Sequence, residues 1–457
     1  MSADALSQTT EFPAAAAVSP ALAAFQRDAW ERFKAAPLPA ADSEQWRFAS
    51  PERPDLSRFH PAQLAPATPR SATAAGDASD LFATTAAAGK IRFDNDHISA
   101  AENTTAAGTG AGAELPAGVV FGDFRSVAAA RPDLLAPARF TDAADIPLGS
   151  AKLLELSHAL LAAGAVVHVP DNTEVALPFV IANRLAGDGA AIFPHTLVIA
   201  GANARVRLVE HNHGGGRSLA VGSTIIVAGA GARVSRVCVQ DYGEHAQAFH
   251  FDHVFAARGA EITSVSLQLG ARRSRHESIV RLRGEGADAR LYSAAAATGG
   301  REIDQRTLQV HESAGARSDL LFKNALFDRA KTIFSGLIQV AQGAQKTDAY
   351  QTNRNLLLSP AARADSLPGL EIGANDVRCS HGATNSQLDA GELFYLLARG
   401  IPPAVAQELL VFGFFEEILE KVGDDALAED LRKIIRHRLG TRAAGGADGS
   451  AGVPPVA

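Results

Sequence analysis

The chain has 457 residues, of which 47% are hydrophobic and 20% are charged. This length favours two or three structural units, and the composition is typical of a folded chain with a sizeable core. A net charge of −7 and an aromatic content of 6% argue against nucleic-acid binding. The two cysteines cannot build a disulfide framework. Because no basic residue precedes Arg27 and no apolar run reaches membrane-spanning length, we expect a cytoplasmic protein that binds neither membrane nor nucleic acid.

The first part of the chain, residues 1–160, is predicted to form an N-terminal helical domain with a low-complexity linker. Apolar residues at helical spacing predict an amphipathic helix over Ala21–Lys34, and the proline at position 37 ends it. The segment 61–118 is rich in Ala, Thr, Gly and Pro, a composition typical of loops. Within it, one short strand is predicted over Lys90–Phe93.

The central region, residues 161–385, carries short β-branched runs separated by Gly, Asn and Asp, which is typical of strands. No helix-length segment separates these runs, so an alternating βαβ sheet is disfavoured. Gly-Ala pairs recur every 27 to 30 residues, starting at positions 201, 229, 259, 286, 315 and 343. We interpret the period as one coil of a parallel β-solenoid. The alternative is chance recurrence, since Gly and Ala are both abundant.

Helices are predicted again in a C-terminal domain over residues 386–440. Amphipathic patterns cover Gly391–Arg399, Ala404–Val422 and Ala426–Leu439. The last segment, 441–457, is rich in small residues and is expected to be a disordered tail. The predicted fold is therefore mainly β, a parallel β-helix flanked by N- and C-terminal α-helical domains. The strand edges of its end coils must be capped or used for pairing.

Several catalytic classes are excluded by missing motifs. The chain contains no G-x-x-x-x-G-K-[ST], no H-E-x-x-H and no G-x-S-x-G. We therefore expect no P-loop nucleotide site on this chain and no zincin-type metalloprotease or serine-hydrolase site. Cys238 lies between Val237 and Val239, which predicts a buried, inert thiol.

Two pairs of histidines are spaced so that they could supply metal ligands. His211 and His213 would lie on one face of a strand, and His250 and His253 lie near a charged turn. No cysteine or carboxylate at ligand spacing completes either set. The interpretation that we favour is therefore solvated or hydrogen-bonded histidines near loop tips.

A sharper candidate metal site is formed by Cys379 and His381. In an extended strand, residues two apart project to the same side, so the thiol and the imidazole could share a soft metal. The neighbouring Arg378 would favour a thiolate. The alternative is a polar loop whose groups are satisfied locally. Because two ligands cannot close a tetrahedral site, a second chain would have to supply the others.

Four motifs follow one another between residues 318 and 415, namely TDAYQTNRNLLL, PGLEI, DVRCSHGAT and LFYLLARGI. Over this range the chain closely resembles the SufB/SufD family of iron–sulfur cluster assembly proteins. The motif SEQWRF, which contains Trp46, is similar to a tryptophan motif near the N-terminus of the family. The CSHGAT motif is typical of the SufD branch of the family and not of the SufB branch.

The resemblance implies a right-handed parallel β-helix and a non-enzymatic scaffold subunit of the SufBCD complex. It implies a heterodimer with SufB through the β-helix ends, and docking of the SufC ATPase on the C-terminal helices. It also implies that His381, and less directly Cys379, holds iron or a transient iron–sulfur cluster shared with SufB. It leaves open whether a flavin takes part and whether the isolated chain forms a homodimer. The residues that would dock SufC lie between 402 and 422, and the predicted docking residues are Pro402, Leu409, Leu410, Phe412, Phe414 and Phe415.

Two other classes of function are compatible with a solenoid. The first is a polysaccharide lyase or hydrolase that uses arginines and carboxylates on one solenoid face, and its candidate residues are Arg272, Arg273, Arg275, Asp288 and Asp304. The scarcity of aromatic residues and the lack of an export signal count against it. The second is a self-associating structural solenoid, which would not respond to an ATPase partner.

Overall fold

The computed structural model describes residues 6, 11–40, 42–50, 54–64, 80–105, 115–136, 148–161 and 163–445. Its helices are α1 Pro20–Ala35, α2 Leu81–Thr84, α3 Phe124–Ala130, α4 Ala151–Ala159, α5 Ala390–Ala398, α6 Pro403–Leu419 and α7 Asp425–Gly445. Its first strands are β1 His60–Pro61, β2 Gly89–Asp94, β3 His97–Glu102, β4 Val120–Asp123, β5 Gly164–Val169, β6 Phe179–Ala186, β7 Ala190–Ile192 and β8 His195–Ala200.

The remaining strands are mostly ten residues long and follow one another without an intervening α-helix. They are β9 Arg205–Gly215, β10 Leu219–Ala228, β11 Arg233–Tyr242, β12 Gln247–Ala256, β13 Glu261–Gln268, β14 Arg273–Leu282, β15 Asp288–Ala297, β16 Glu302–His311, β17 Arg317–Leu326, β18 Lys331–Val340, β19 Asp348–Leu357, β20 Arg363–Ile372 and β21 Arg378–Gln387. No helix in the described part of the chain is both long and apolar enough to cross a membrane.

Successive strands alternate between two sheets, as a solenoid requires. Sheet A has the order β20-β18-β16-β14-β12-β10-β8-β5-β4, with β1 and β7 beside it. Sheet B has the order β21-β19-β17-β15-β13-β11-β9-β6-β2-β3. Along most of their length both sheets are parallel, so each coil adds one strand to each sheet. The predicted parallel β-solenoid between two helical regions is confirmed.

The recurrence of Gly-Ala pairs every 27 to 30 residues reflects the turn from sheet A to sheet B in each coil. Each of these turns contains one residue with a positive φ. Gly231 has φ 67° and Asn203 has φ 56°, a conformation that glycine adopts without strain and asparagine tolerates. The full column is Asn172, Asn203, Gly231, Gly259, Gly286, Gly315 and Lys346. The glycines of the Gly-Ala pairs at 259, 286 and 315 are these residues themselves, whereas those at 201, 229 and 343 lie two or three residues before them in the same turns.

The solenoid interior is apolar along one side and ionic along the other. The apolar side is lined by Val206, Val234 and Ile262 from consecutive coils of sheet B. On the other side Arg236 is fully buried between two carboxylates: it pairs with Glu210, and its Nη1 donates to Asp252 over 2.7 Å. A buried charge of this kind is tolerated only when it is paired and hydrogen-bonded.

The N-terminal region covers the outer face of sheet A and also contributes strands. Helix α1, which confirms the predicted N-terminal helix, packs on α4, and both help to cover apolar side chains of β10 and β12. The N-terminal region is not purely helical, because β2 and β3 extend sheet B and β4 extends sheet A. The strand predicted over Lys90–Phe93 is confirmed as part of β2.

The C-terminal helices α6 and α7 cover the outer face of sheet B. Phe415, Leu431 and Ile435 are fully buried against apolar side chains of that sheet. Helix α7 continues to Gly445, so the first five residues of the segment 441–457 are helical. The rest of that expected tail lies outside the described residues.

The two ends of the solenoid differ. At the N-terminal end, β3 pairs antiparallel with β2, and β4 pairs antiparallel with β5. These strands are the last of their sheets, and β3 has a pairing partner on one side only among the described residues, but Phe121 of β4 covers the interior, fully buried against Phe179 at a ring-centroid distance of 4.7 Å. At the C-terminal end, β20 and β21 likewise have a pairing partner on one side only among the described residues, but none of their side chains, including the inward ones, is buried. The C-terminal end is therefore the open end.

Candidate functional site

Cys379 and His381 lie in β21, the last strand of sheet B. Cys379 packs against the apolar cluster inside the last coils, which includes Ile338 and Val340. His381 is two residues further along the same strand and therefore lies on the same, inward side. It pairs in register with the fully buried Gln351 of β19, but His381 itself is exposed because no further coil covers it within the described part of the chain. The structure thus places an imidazole at the mouth of the solenoid.

The environment of Cys379 does not favour the expected thiolate. Burial raises the pKa of the Cys379 thiol above its ordinary value, and the negative charge of Asp348 adds to the rise. Arg378, which was expected to lower it, is adjacent in the strand and so points to the opposite face. Cys379 is therefore a half-buried, protonated thiol beside an exposed imidazole.

The rest of the last coil presents groups that are normally covered. Ile372 of β20 is 43% exposed although it is in register with the buried Val340 of β18. Most residues of β21 are exposed along the whole strand. An apolar interior that ends on two strands with unpaired backbone groups is a template for pairing with another chain.

No cluster of three or more His, Cys, Asp or Glu side chains arranged for a metal ion occurs among the described residues. Cys379 and His381 supply two potential ligands, a thiol and an imidazole, of the kinds that bind iron in proteins. Further donors at this end would have to come from outside the described residues or from another chain.

The prediction that the other histidines are solvated or hydrogen-bonded is wrong for His211 and His253, because both are fully buried and neither ring has a hydrogen-bond partner among the described residues. His211 and His213 do lie on one strand face, with their rings stacked at a centroid distance of 4.5 Å. Burial lowers the pKa of His211, and it lowers the pKa of His213 to about 4. His253 is also buried, and burial lowers its pKa to about 4. Stacked rings do not converge on one ion. The burial of these histidines results from the N- and C-terminal regions that pack on the outer faces of the two sheets, and the sequence patterns did not predict where those regions pack.

Cys238 confirms the expectation of a buried thiol. Its side chain faces the solenoid interior, where Asn212 Nδ2 lies 3.6 Å from its Sγ. Burial raises the pKa of Cys238 to about 12. A thiol that is both buried and protonated is inert.

The arginine and carboxylate residues considered for a polysaccharide site do not form one face. Arg275 and Asp304 are in sheet A, where they pair with each other and are almost fully buried beneath the N-terminal region. Asp288 is in sheet B and pairs with Arg290 over 2.6 Å. The prediction that these groups share an accessible face is therefore wrong.

The predicted SufC-docking residues are distributed over two faces of the C-terminal helices. Pro402 is exposed, and the Leu409 side chain in α6 is 48% exposed. Leu410, Phe412 and Phe414 are half-buried. Phe415 is fully buried against sheet B, so its inclusion among the docking residues was wrong: it anchors the helix to the solenoid.

Sequence reasoning missed three exposed apolar residues on the same helices. Phe394 and Tyr395 of α5 are 68% and 57% exposed, and Val405 of α6 is 44% exposed. The signal was present in LFYLLAR, a short segment with apolar residues on all sides and no strand face to cover. These three residues, with Pro402 and Leu409, are called the helical face below.

Helix α6 is fixed to the solenoid by ionic contacts next to its apolar anchor. Lys323 Nζ of β17 lies 2.6 Å from Glu417 Oε2 and donates to the Phe414 carbonyl over 2.9 Å. The hydrogen bond from Lys323 holds the pKa of Glu417 below its ordinary value. Helix α6, which carries Val405 and Leu409 of the helical face, is thus anchored to sheet B.

Comparisons with known proteins agree with this architecture. The family model of the SUF system FeS cluster assembly SufBD core domain matches residues 182–414, about half of the chain. The SufD protein of Escherichia coli is 39% identical over 184 residues, which cover 40% of this chain and 43% of that protein. A SufBD family protein of Mycobacterium tuberculosis is 37% identical over 183 residues, covering 38% of this chain and 46% of its own.

A longer match reaches into the N-terminal region. The SufD protein of Bacillus subtilis is 25% identical over 326 residues, which cover 70% of this chain and 74% of that protein. With the first relatives, by contrast, the match spans less than half of their length. Most of the two-sheet solenoid and its exposed last strand, which carries the CSHGAT motif, lie within the part of the chain that the SufBD core model covers. The chain belongs to the SufB/SufD family of iron–sulfur cluster assembly proteins and is of SufD type.

Proposed function

We propose that the chain is a non-enzymatic scaffold subunit of a cytoplasmic SufBCD complex. In this proposal its solenoid pairs with SufB, its C-terminal helices dock the SufC ATPase, and iron or a nascent iron–sulfur cluster is its cargo. The observation that carries the proposal is the difference between the two ends of the solenoid: the interior is covered at the N-terminal end, where Phe121 packs on Phe179, and is exposed on β20 and β21 at the other end.

Pairing with SufB at the open end is supported by the chemistry of the last coil. Strands β20 and β21 offer backbone donors and acceptors along ten residues each. The exposed side chain of Ile372 continues the apolar interior toward a partner. Both features are unfavourable in water and favourable at an interface.

A role for His381 in holding the cargo is supported by its position. It lies on the inward face of β21 but remains accessible, so a partner solenoid would place its own donors opposite the imidazole. Cys379 is half-buried, and burial keeps the pKa of its thiol high, so it is the weaker ligand. An incomplete site of this kind can accept iron and release a finished cluster.

Docking of SufC is supported by the helical face. Its five exposed residues belong to α5, α6 and the turn between them, away from the apolar side that covers sheet B. ATP chemistry then belongs to SufC, which agrees with the lack of a P-loop motif in this chain.

The central experiment is cluster reconstitution in co-purified SufBCD complex with His381→Ala. We expect the variant to assemble and to melt as the wild type does, because His381 is exposed, but to mature no cluster. The matched control is Thr384→Val, which alters an exposed residue on the outward face of the same strand. Normal cluster yield in the His381→Ala complex would refute the site, and failure of the chain to co-purify with SufB and SufC would refute the scaffold role.

A further inference from the structure

Buried asparagines connect successive coils of sheet B through their side chains. Asn324 Nδ2 donates to Asn355 Oδ1 over 2.8 Å, and Asn355 Nδ2 donates to Asn385 Oδ1 over 2.8 Å. The three residues are in register on β17, β19 and β21. A second pair occurs earlier in the same sheet, where Asn183 Nδ2 donates to Asn212 Oδ1 over 2.9 Å. We call the series Asn324, Asn355 and Asn385 the asparagine ladder.

The ladder runs from the solenoid interior to its surface, and at its inner end Asn324 Oδ1 is buried without a hydrogen-bond partner among the described residues. Asn324 and Asn355 are fully buried, whereas Asn385 is exposed on the last strand. A side-chain amide has two N–H donors. Asn385 Nδ2 makes one long bond of 3.3 Å, to the Ala364 carbonyl of β20. Its second donor points to no acceptor within the described residues.

The position of Asn385 makes it part of any interface formed at the open end. It lies on the inward face of β21, four residues after His381 on the same side of the strand. A partner strand that pairs with β21 would cover Asn385 and exclude water from its amide. A buried amide without a partner is costly, so the partner must supply an acceptor at this position.

We infer that Asn385 fixes the register of this chain on SufB by bonding to a side-chain amide of the SufB end strand. The inference rests on the proposed function, because it names a contact within the proposed SufB interface. The partner residue is an asparagine or a glutamine, since within this solenoid an amide meets an amide at each step of the ladder. Register matters here because a shift of the partner strand by one residue would turn its inward side chains to the outer face, away from His381.

The test is the affinity between the purified chain and purified SufB, measured by calorimetry for the wild type and Asn385→Leu. Leucine has a similar size but cannot bond, so we expect about tenfold weaker binding. Thr384→Val, on the outward face of the same strand, is the control and should bind as the wild type does. The isolated Asn385→Leu chain should melt as the wild type, because Asn355 Nδ2 still donates to Asn353 Oδ1 over 2.8 Å.

The outcomes separate the inference from the proposed function. If the wild-type chain does not bind SufB, the proposed function fails. If the wild type binds and Asn385→Leu binds equally well, the proposed function stands and the role of Asn385 is refuted. If the isolated chain dimerises and Asn385→Leu dissociates that dimer without weakening SufB binding, the occupant of this position is a second copy of the chain, which also overturns the inference.

Discussion

The guanidinium carbon of Arg275 lies 4.1 Å from the centre of the Trp46 ring, although 229 residues of chain separate them. Arg275 Nη2 also donates to the Gln45 carbonyl over 2.8 Å, and Trp46 Nε1 donates to the Gly149 carbonyl over 2.8 Å. The SEQWRF motif is thus a clamp that holds the N-terminal region on the outer face of sheet A.

Replacing the tryptophan of this clamp should destabilise the protein strongly. Trp46 is 5% exposed and packs near Phe249 of β12. We expect Trp46→Ala to lower the free energy of unfolding by about 3–5 kcal/mol, measured by urea titration. Arg47→Ala, which alters an exposed neighbouring side chain, should change it by less than about 0.5 kcal/mol. Equal effects of the two substitutions would show that the motif does not act through Trp46.

Leu409 and Phe415 should separate partner binding from folding. Leu409→Glu places a charge on the helical face, and we expect it to abolish co-purification with SufC while leaving the melting temperature unchanged. Phe415→Ala removes a fully buried ring and should lower the free energy of unfolding by about 3–5 kcal/mol. If Leu409→Glu retains SufC at wild-type yield, this face is not the docking site.

The two cysteines should differ in their reaction with an alkylating agent. Cys379 is half-buried, and burial raises its pKa, so it should react slowly at neutral pH and faster as the pH rises. Cys238 is buried, with a pKa of about 12, and should react only in denaturant. Mass spectrometry of the alkylated peptides measures both rates. Rapid labelling of Cys238 in the native protein would contradict the buried interior described above.

Stability should fall as the pH falls, in part because of His195. Its ring lies 2.7 Å from Ser223 Oγ and 2.9 Å from Ser157 Oγ, and burial lowers its pKa to about 4. The unfolded chain, with an ordinary pKa near 6.5, binds more protons between these two values. The stabilisation is therefore complete above pH 6.5 and is lost as the pH falls toward 4, at roughly 1.4 kcal/mol per pH unit.

The measurement that checks this is urea unfolding at several pH values for the wild type and His195→Gln. We expect the variant to be less stable at neutral pH, and the slope of its unfolding free energy between about pH 6.5 and pH 4 should be shallower, since one titrating group has been removed. His245→Gln, at an exposed turn, should leave the slope unchanged. Parallel curves for the wild type and His195→Gln would refute the assignment.

The sequence predicted the solenoid because a local requirement recurs in every coil. A positive φ at one turn position selects Gly or Asn, and this selection is visible as a period near 28 residues. The strands β2, β3 and β4 were harder to assign to the sheets, because their pairing depends on residues far along the chain. Only the island at Lys90–Phe93 had a strong enough local pattern.

The site was predicted in the same uneven way. The spacing of Cys379 and His381 placed both on one side of a strand, but the raised pKa of Cys379 depends on tertiary burial that no neighbouring residue reveals. Leu409 and Phe415 are both apolar residues of the same apolar helix, so the sequence does not distinguish them, yet Leu409 is exposed and Phe415 is fully buried. Which side of α6 faces sheet B is decided by the solenoid beneath it.

The unequal ends of the solenoid also limit the size of any assembly built on it. A rod with two adhesive tips could add subunits indefinitely and grow into a fibre, whereas the interior of this rod is covered at its N-terminal tip, where Phe121 packs on Phe179. Joining tip to tip therefore stops at two rods, whichever chain is the second. We therefore expect the covered interior at the N-terminal tip to act as a terminator of polymerisation as well as a piece of the fold.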